Sequence, residues 1–262
     1  MFYIGNAVTD IGNIKKINQD SLTLKIANST WGMVCLAVMC DGLGGLAQGE
    51  VASAAVVRAF DQWFRETFPK KEDAWNEKDI QEAWEQLLLS INQEIIEYGK
   101  ENSIQLGTTV TAVLFIKDRY YAIHVGDCRL YEIKKDIRQI TRDQSVLARE
   151  VEQGRMSEEE ARWDARKNVL LQCVGINEHI MPDFISGKVE TDATYLVCSD
   201  GFRHQVSTEE IFDACHPHAN QTSNVIKERL NKLVQLDKAR EERDNLSAIL
   251  VYAGDSSAMS DD

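Results

Sequence analysis

Four aspartates in this chain share one local pattern: an apolar run, an acid, then a small or turn-forming residue. They are Asp41 in Val38-Met39-Cys40-Asp41-Gly42, Asp127 in His124-Val125-Gly126-Asp127-Cys128-Arg129, Asp200 in Leu196-Val197-Cys198-Ser199-Asp200-Gly201, and Asp244 in Arg243-Asp244-Asn245-Leu246-Ser247. A fifth, Asp20, lies in Asn18-Gln19-Asp20-Ser21. An apolar run sets its last residue at the edge of a sheet, and the glycines at 42, 44 and 45 let the backbone turn sharply and approach something closely. Taken singly, each acid reads more readily as a helix cap or the close of a turn. Taken together, strand-end carboxylates beside bare backbone carbonyls suit a hard divalent cation, which wants oxygen ligands. Two such cations about 3.5–4 Å apart form the clamp used for phosphoryl hydrolysis.

The elements that must position these acids are legible in outline. Trp31 to Cys40 is an apolar run with β-branched residues that ends at Asp41, which predicts a buried strand. From Ala47 to Phe68 the pattern turns helical, with Val51, Ala55, Ala59 and Trp63 at four-residue spacing, and Pro69 stops it. A second amphipathic helix is predicted from about Glu77 to Glu101, with Trp84, Leu87, Leu88, Ile91, Ile95 and Tyr98 on one side. The period then shortens: Thr108–Ile116, Tyr120–Val125 and Arg129–Ile133 read as an antiparallel meander. Residues 143–166 are strongly charged and predict two short helices separated by Gly154, the second starting after a Ser157 cap. Thr194–Cys198 and Leu246–Tyr252 are further strands, with helices near 208–214 and 222–236, and residues 255–262 read as a disordered acidic tail. Long helices between β-rich segments make an α/β sandwich, and with three prolines and no linker the chain reads as one domain over residues 1–254.

Composition narrows the partners. Asp and Glu outnumber Lys and Arg by 42 to 29, and the resulting net charge of −13 argues against nucleic acid or an anionic membrane as the main partner. No apolar window is long enough to span a membrane and the start of the chain lacks a secretory pattern, so the expected compartment is the cytosol. The six cysteines show no Cys-x-x-Cys spacing; Cys35, Cys40 and Cys198 fall in apolar runs and read as buried thiols.

Several motifs, taken in order, resemble one family. Asn18-Gln19-Asp20-Ser21, Asp41-Gly42-Leu43-Gly44-Gly45, Gly107-Thr108-Thr109 and Val125-Gly126-Asp127-Cys128-Arg129 come first. Ile140-Thr141-Arg142-Asp143-Gln144-Ser145, Ser199-Asp200-Gly201 and Asp244-Asn245 follow. The ordered set, covering nearly the whole chain, resembles the metal-dependent type 2C serine/threonine protein phosphatases, and their single-domain bacterial branch above all. The resemblance implies an α+β, four-layer α-β-β-α sandwich with two central antiparallel sheets flanked by helix pairs. It implies an enzyme, a phosphoprotein phosphatase acting on phosphoserine and phosphothreonine, with phosphorylated proteins and a cognate kinase system as partners, working as a monomer. Asp41 would bridge two catalytic Mg²⁺ or Mn²⁺ ions with the Gly42 carbonyl as a further ligand, and Asp200 and Asp244 would hold the other side. Asp20 would act through metal-bound water, Asp127 with Asp200 would hold a third ion, Asn245 would orient Asp244, and 143–166 would be a flap at the substrate entrance. A water bridging the two ions would then be the nucleophile, so that no phosphoenzyme is required.

Three departures from the family pattern bear on the site. Lys15 stands where the family places the arginine that grips the substrate phosphate, and it supplies charge without the bidentate fork; Lys16 competes for that role. Gln19 replaces the usual glutamate, and Leu43 stands where many eukaryotic members carry a histidine. These departures leave open a phosphatase-like scaffold that binds without turnover, and the motifs leave open a phosphatase of small metabolites. Elsewhere the simpler readings are structural: His124 as a satisfied core histidine, Arg129 as the ion-pair partner of Asp127, the threonines of 108–111 as strand formers, and the tryptophans as core, except Trp163 in the flap.

Overall fold

The strand that ends at Asp41 is apolar throughout because both its faces are covered. Cys35, Ala37 and Met39 face one buried cluster while Val34, Leu36, Val38 and Cys40 face another. This is the strand β3, and the computed structural model, which describes residues 1–43, 48–71 and 73–255, builds the rest around it. In chain order the elements are β1 (Phe2–Asp10), β2 (Asp20–Ser29), β3 (Gly32–Asp41), α1 (Gly49–Gln62), α2 (Glu77–Asn102), β4 (Val110–Ile116), β5 (Arg119–Val125) and β6 (Arg129–Ile133). There follow β7 (Ile137–Gln139), α3 (Val146–Glu152), α4 (Glu158–Trp163), β8 (Asp183–Lys188), β9 (Ala193–Cys198), α5 (Thr208–Cys215), α6 (Ser223–Ala239) and β10 (Leu246–Gly254).

Two five-stranded antiparallel sheets result, in the orders β1-β10-β9-β6-β7 and β2-β3-β4-β5-β8. Their inner faces share a core in which Met39, Phe115, Tyr195 and Val251 are buried. The outer face of the β3 sheet packs on α1 and α2 through Leu36, Leu114, Phe60, Trp84 and Leu88; Phe60 and Trp84 meet edge to face at 5.3 Å. The outer face of the other sheet packs on α5 and α6 through Leu196, Leu250, Ile211, Ile226 and Leu230. Three cores between four layers give the α-β-β-α sandwich that the motif set implied. No helix among the described residues is long and apolar enough to cross a membrane.

Two sequence expectations change. The helix predicted from Ala47 to Phe68 is α-helical only over Gly49–Gln62; Trp63–Thr67 form a π-turn and Phe68–Lys70 a 3-10 turn containing Pro69. The wider turn accompanies two successive buried aromatics, Trp63 and Phe64. The meander also breaks. β4 and β5 pair, but β6 leaves for the other sheet and pairs with β9, while β8 takes the free edge of β5. The chain crosses at Gly126, whose φ of +110° and contact with Thr109 exclude a side chain: a Cβ there would come within 2.7 Å of the Thr109 Cβ. Gly44, Gly45 and Ala47 lie outside the described residues, as does all of the expected acidic tail after Asp255.

Candidate active site

Asp41 is held by its backbone, and among the described residues its carboxylate is given no hydrogen-bond donor. Its N–H donates to Thr109 Oγ1 at 3.0 Å, and its carbonyl accepts from the Thr109 N–H and the Thr108 hydroxyl, each at 2.9 Å. Thr108 and Thr109 thus clamp Asp41 just before β4 begins, so of the threonines expected to form strand only Thr111 lies within it. The next residue must be glycine, since a Cβ on Gly42 would lie 2.7 Å from the Gln19 carbonyl oxygen and closer still to the Gly49 carbonyl. The Gly42 N–H in turn donates to Gln19 O at 3.1 Å.

The sheet register delivers a second acid to the same place. Asp20 opens β2 directly opposite Asp41. Its Oδ2 accepts from the Ser199 hydroxyl at 3.0 Å, while its Oδ1 is buried without a partner among the described residues. Ser199 is bonded across to Ser247 in both directions, which ties the end of β9, and so Asp200, to the start of β10. Asp200 likewise keeps a buried, unpartnered Oδ1. Asp127 sits in the crossing between β5 and β6, almost fully buried. Asp244 stands just before β10, with Lys15 Nζ 2.7 Å from its Oδ1.

These five acids feel one another. Burial pushes the Asp41 carboxyl well above the usual carboxylate range, and the charges of Asp20, Asp200, Asp127 and Asp244 push it further. Burial, with Asp200 and Asp244 nearby, raises Asp20 to about 7 against the nearby Ser247 hydroxyl and the hydrogen bond from Ser199. Burial and Asp200 raise Asp127 to about 7, opposed by Arg203 and His204. The structure therefore brings together all of Asp20, Asp41, Gly42, Asp127, Asp200 and Asp244.

Lys15 reaches the cluster too, but as the partner of Asp244. Burial works against its charge, and the contact with Asp244 and the fields of Asp41 and Asp200 outweigh that, so its ammonium titrates above the ordinary lysine range. The loop that carries it is stapled by Asn245, whose Nδ2 donates to the carbonyls of Ile11 and Ile17 and whose Oδ1 accepts the Gln19 N–H. Only the backbone N–H of Asn245 donates to Asp244 Oδ1, at 2.8 Å. Lys16 is exposed.

Arg129 differs from expectation. It makes a fork to both oxygens of Asp143, with Nε–Oδ1 at 2.8 Å and Nη2–Oδ2 at 2.7 Å, instead of pairing with Asp127. The carbonyl of Asp127 accepts from Arg203 Nη2 at 3.3 Å, and Arg203 also lies 3.6 Å from Asp143. His124 is a core histidine, bonded to Thr111 Oγ1 and Arg142 O, and burial lowers its pKa. Segment 143–166 carries α3 and α4, with Ser157 capping α4 and Trp163 86% exposed. Ser199, already part of the Ser199-Asp200-Gly201 motif, borders the acids, and so do Ser247, Arg203, His204 and Glu242, which no signal in residue type or spacing singles out.

The donor set fits a hard cation. Every candidate ligand atom is oxygen, which suits Mg²⁺ or Mn²⁺ over softer metals. Buried carboxylate oxygens without partners are costly unless a cation or donor meets them. No three His, Cys, Asp or Glu side chains among the described residues close on a single ion position. That is compatible with Mg²⁺-type binding, in which one or two carboxylates suffice and waters complete the octahedron.

Comparison with known proteins agrees with the motif order. The sequence model of the family described as protein phosphatase 2C matches residues 14–238. A serine/threonine phosphatase, stp, from Listeria welshimeri is 28% identical over 248 residues, 93% of each chain. Among solved structures, the serine/threonine phosphatase of S. agalactiae superposes with a TM-score of 0.83 at 26% identity, covering 96% of this chain and 100% of that one. The catalytic domain of the serine/threonine protein phosphatase PstP, solved with two manganese ions, superposes with a TM-score of 0.78 at 27% identity, covering 97% and 99%.

Proposed function

The chain belongs to the protein phosphatase 2C family, and from that premise we propose that it removes phosphate from phosphoserine and phosphothreonine on proteins with the help of two Mg²⁺ or Mn²⁺ ions. The observation that carries this reading is the set of five carboxylates gathered at one end of the sandwich, Asp20, Asp127 and Asp200 buried and Asp41 and Asp244 partly so, two of them with oxygens unpartnered among the described residues. Asp41 with the Gly42 carbonyl, Asp200 and Asp244 are the direct ligands in this reading. Asp20 acts through water, and Asp127 with Asp200 is the place for a third ion. When bound, two such ions supply a water acidified toward neutral pH and positive charge for the phosphoryl oxygens.

The residues of the chain do the rest. Thr108 and Thr109 fix the direction of Asp41, and Ser199 with Ser247 keeps Asp20 and Asp200 at a set spacing. Lys15 stays cationic beside Asp244 and offers N–H donors to a phosphoryl oxygen. This route needs no phosphoenzyme and uses no thiol. All six cysteines are buried, and burial pushes Cys173 to about 11 and Cys198 to about 12, far from a reactive thiolate. The segment 143–166, with exposed Trp163, is proposed to border the substrate entrance. Phosphorylated proteins supplied by a partner kinase are the proposed substrates, and the working form is proposed to be a monomer in the cytosol.

The test is turnover of a phosphothreonine peptide and of a chromogenic aryl phosphate with Mn²⁺, with Mg²⁺ and with EDTA. Turnover of the peptide that appears with metal and vanishes with EDTA is expected. Absence of turnover under every condition points to a phosphatase-like scaffold and sinks the reading, and turnover of small phosphates alone sinks the protein substrate. Lys15→Arg is expected to lower the Michaelis constant about threefold by adding the bidentate fork; an unchanged constant removes Lys15 from phosphate binding.

A further inference from the structure

Glu242 is 4% exposed in the turn between α6 and β10, and its two carboxylate oxygens serve different neighbours. Oε1 accepts the backbone N–H of Arg243 at 2.8 Å and of Asp244 at 2.9 Å. Oε2 lies 3.7 Å from His204 Nδ1, and His204 Nε2 lies 3.6 Å from Asp200 Oδ2. Glu242 is itself anchored, since its N–H donates to the Asp237 carbonyl at 3.0 Å. One buried carboxylate therefore touches the backbone of Asp244 and, through an imidazole, approaches Oδ2 of Asp200.

We propose that Glu242 and His204 form a positioning pair that fixes the spacing and rotation of Asp200 and Asp244 for the cations they bind. The inference rests on the two-metal reading above. Asp200 stands two residues beyond β9, its side chain makes no cap hydrogen bond to the turn that follows, and its Oδ1 is unpartnered among the described residues. The imidazole at Oδ2 restrains that side chain and leaves Oδ1 as the open donor. Asp244 is set from the other side, because Glu242 orients its peptide group. Partners of this kind, behind the ligands, commonly change metal affinity by about 10–100-fold, because they remove the cost of ordering ligands at the moment of binding. Neither residue touches substrate in this arrangement.

Mn²⁺ titration calorimetry at one fixed pH on the intact protein, with His204→Gln, Glu242→Gln and the double variant, tests the proposal. Thermal midpoints in EDTA accompany the titrations. Each single variant is expected to weaken Mn²⁺ binding about tenfold or more, with the EDTA midpoint close to that of the parent. The double variant is expected to be no weaker than the worse single one, because both act along one path. Mn²⁺ affinity within twofold of the parent in both single variants overturns the proposal, even where the EDTA midpoint falls, since that pattern is a purely structural role. Losses that multiply in the double variant overturn the shared path. A parent protein that binds no Mn²⁺ defeats the metal reading itself, an outcome distinct from parent binding with unaffected variants.

Discussion

Asp20 and Asp143 are both largely withdrawn from water, yet their carboxyl groups move in opposite directions. Burial raises Asp20 to about 7, with other acids adding to it. Burial also opposes charge on Asp143, but the Arg129 fork and the nearby Arg203 guanidinium outweigh it and hold its pKa below the usual carboxylate range. The Asp143 site is complete within the protein: a carboxylate held by two guanidiniums and Gln139. The Asp20–Asp41–Asp127–Asp200 site has carboxylates in excess of protein cations and leaves buried oxygens unpartnered. The lesson is that burial of an acid says little about its role. What identifies a cation site is a buried acid whose compensating charge the fold does not supply.

The largest effect is expected from breaking the incomplete site. Asp41→Asn removes the acid at its centre and is expected to lower metal-dependent turnover on the order of 10³-fold, the scale of several kcal/mol of lost charge stabilisation. The same variant is expected to raise the thermal midpoint in EDTA, because one source of mutual repulsion is gone. Turnover within tenfold of the parent, or a midpoint that falls in EDTA, would contradict the contrast.

Breaking the complete site should act the other way. Asp143→Ala strands two half-buried guanidiniums and is expected to cost about 2–4 kcal/mol of stability, somewhat less than a fully buried pair, read as a lower denaturant midpoint with or without metal. A loss below about 1 kcal/mol would mean that the Arg129–Asp143–Arg203 cluster is not the self-sufficient unit described.

The third and smallest effect separates the two sites by pH. Asp20 and Asp127 have folded pKa values raised to about 7, so their contribution to stability is full below the unfolded carboxylate pKa and is lost as pH rises through about 7. Asp143 is lowered, so its contribution is present above that unfolded value and is lost only as pH falls below it. Between about pH 5 and 8 the first behaviour governs, and the metal-free midpoint is expected to fall on the order of 5 °C. Saturating Mn²⁺ should reverse this slope, since the cation binds the deprotonated acids. A metal-free midpoint that rises over this interval would be inconsistent with raised carboxyls.

Much of this was legible in order along the chain. The strand before Asp41, the helix Glu77–Asn102, the two short helices around Gly154 and the closing strand follow from periodicity, because each has a strong pattern of its own. The strands β1, β2, β7 and β8 are not among the elements that the sequence predicts. β2 is half exposed and alternates leucines and an isoleucine with polar residues, and β7 is three residues long, so neither offers a clear apolar run. The departure of β6 to the other sheet was equally invisible, since pairing partners are not encoded in strand pattern, and a glycine at 126 reads as any turn. Arg129 lies two residues from Asp127 in sequence, and the fork it makes to Asp143 depends on how β6 and the following loop fold back.

The sequence by itself determined which residues are acids at strand ends and the order in which they come, and from that order the family and the four-layer sandwich. Only the tertiary structure decided that Asp20 stands opposite Asp41, that Thr108 and Thr109 clamp its backbone, that Lys15 rests on Asp244, and that Glu242 and His204 stand behind Asp200. The physical reason is range. Periodicity and turn chemistry act over a few neighbours along the chain, whereas the charge around a carboxylate is summed over groups as distant in sequence as Lys15 from Asp244, which meet only after the two sheets have packed.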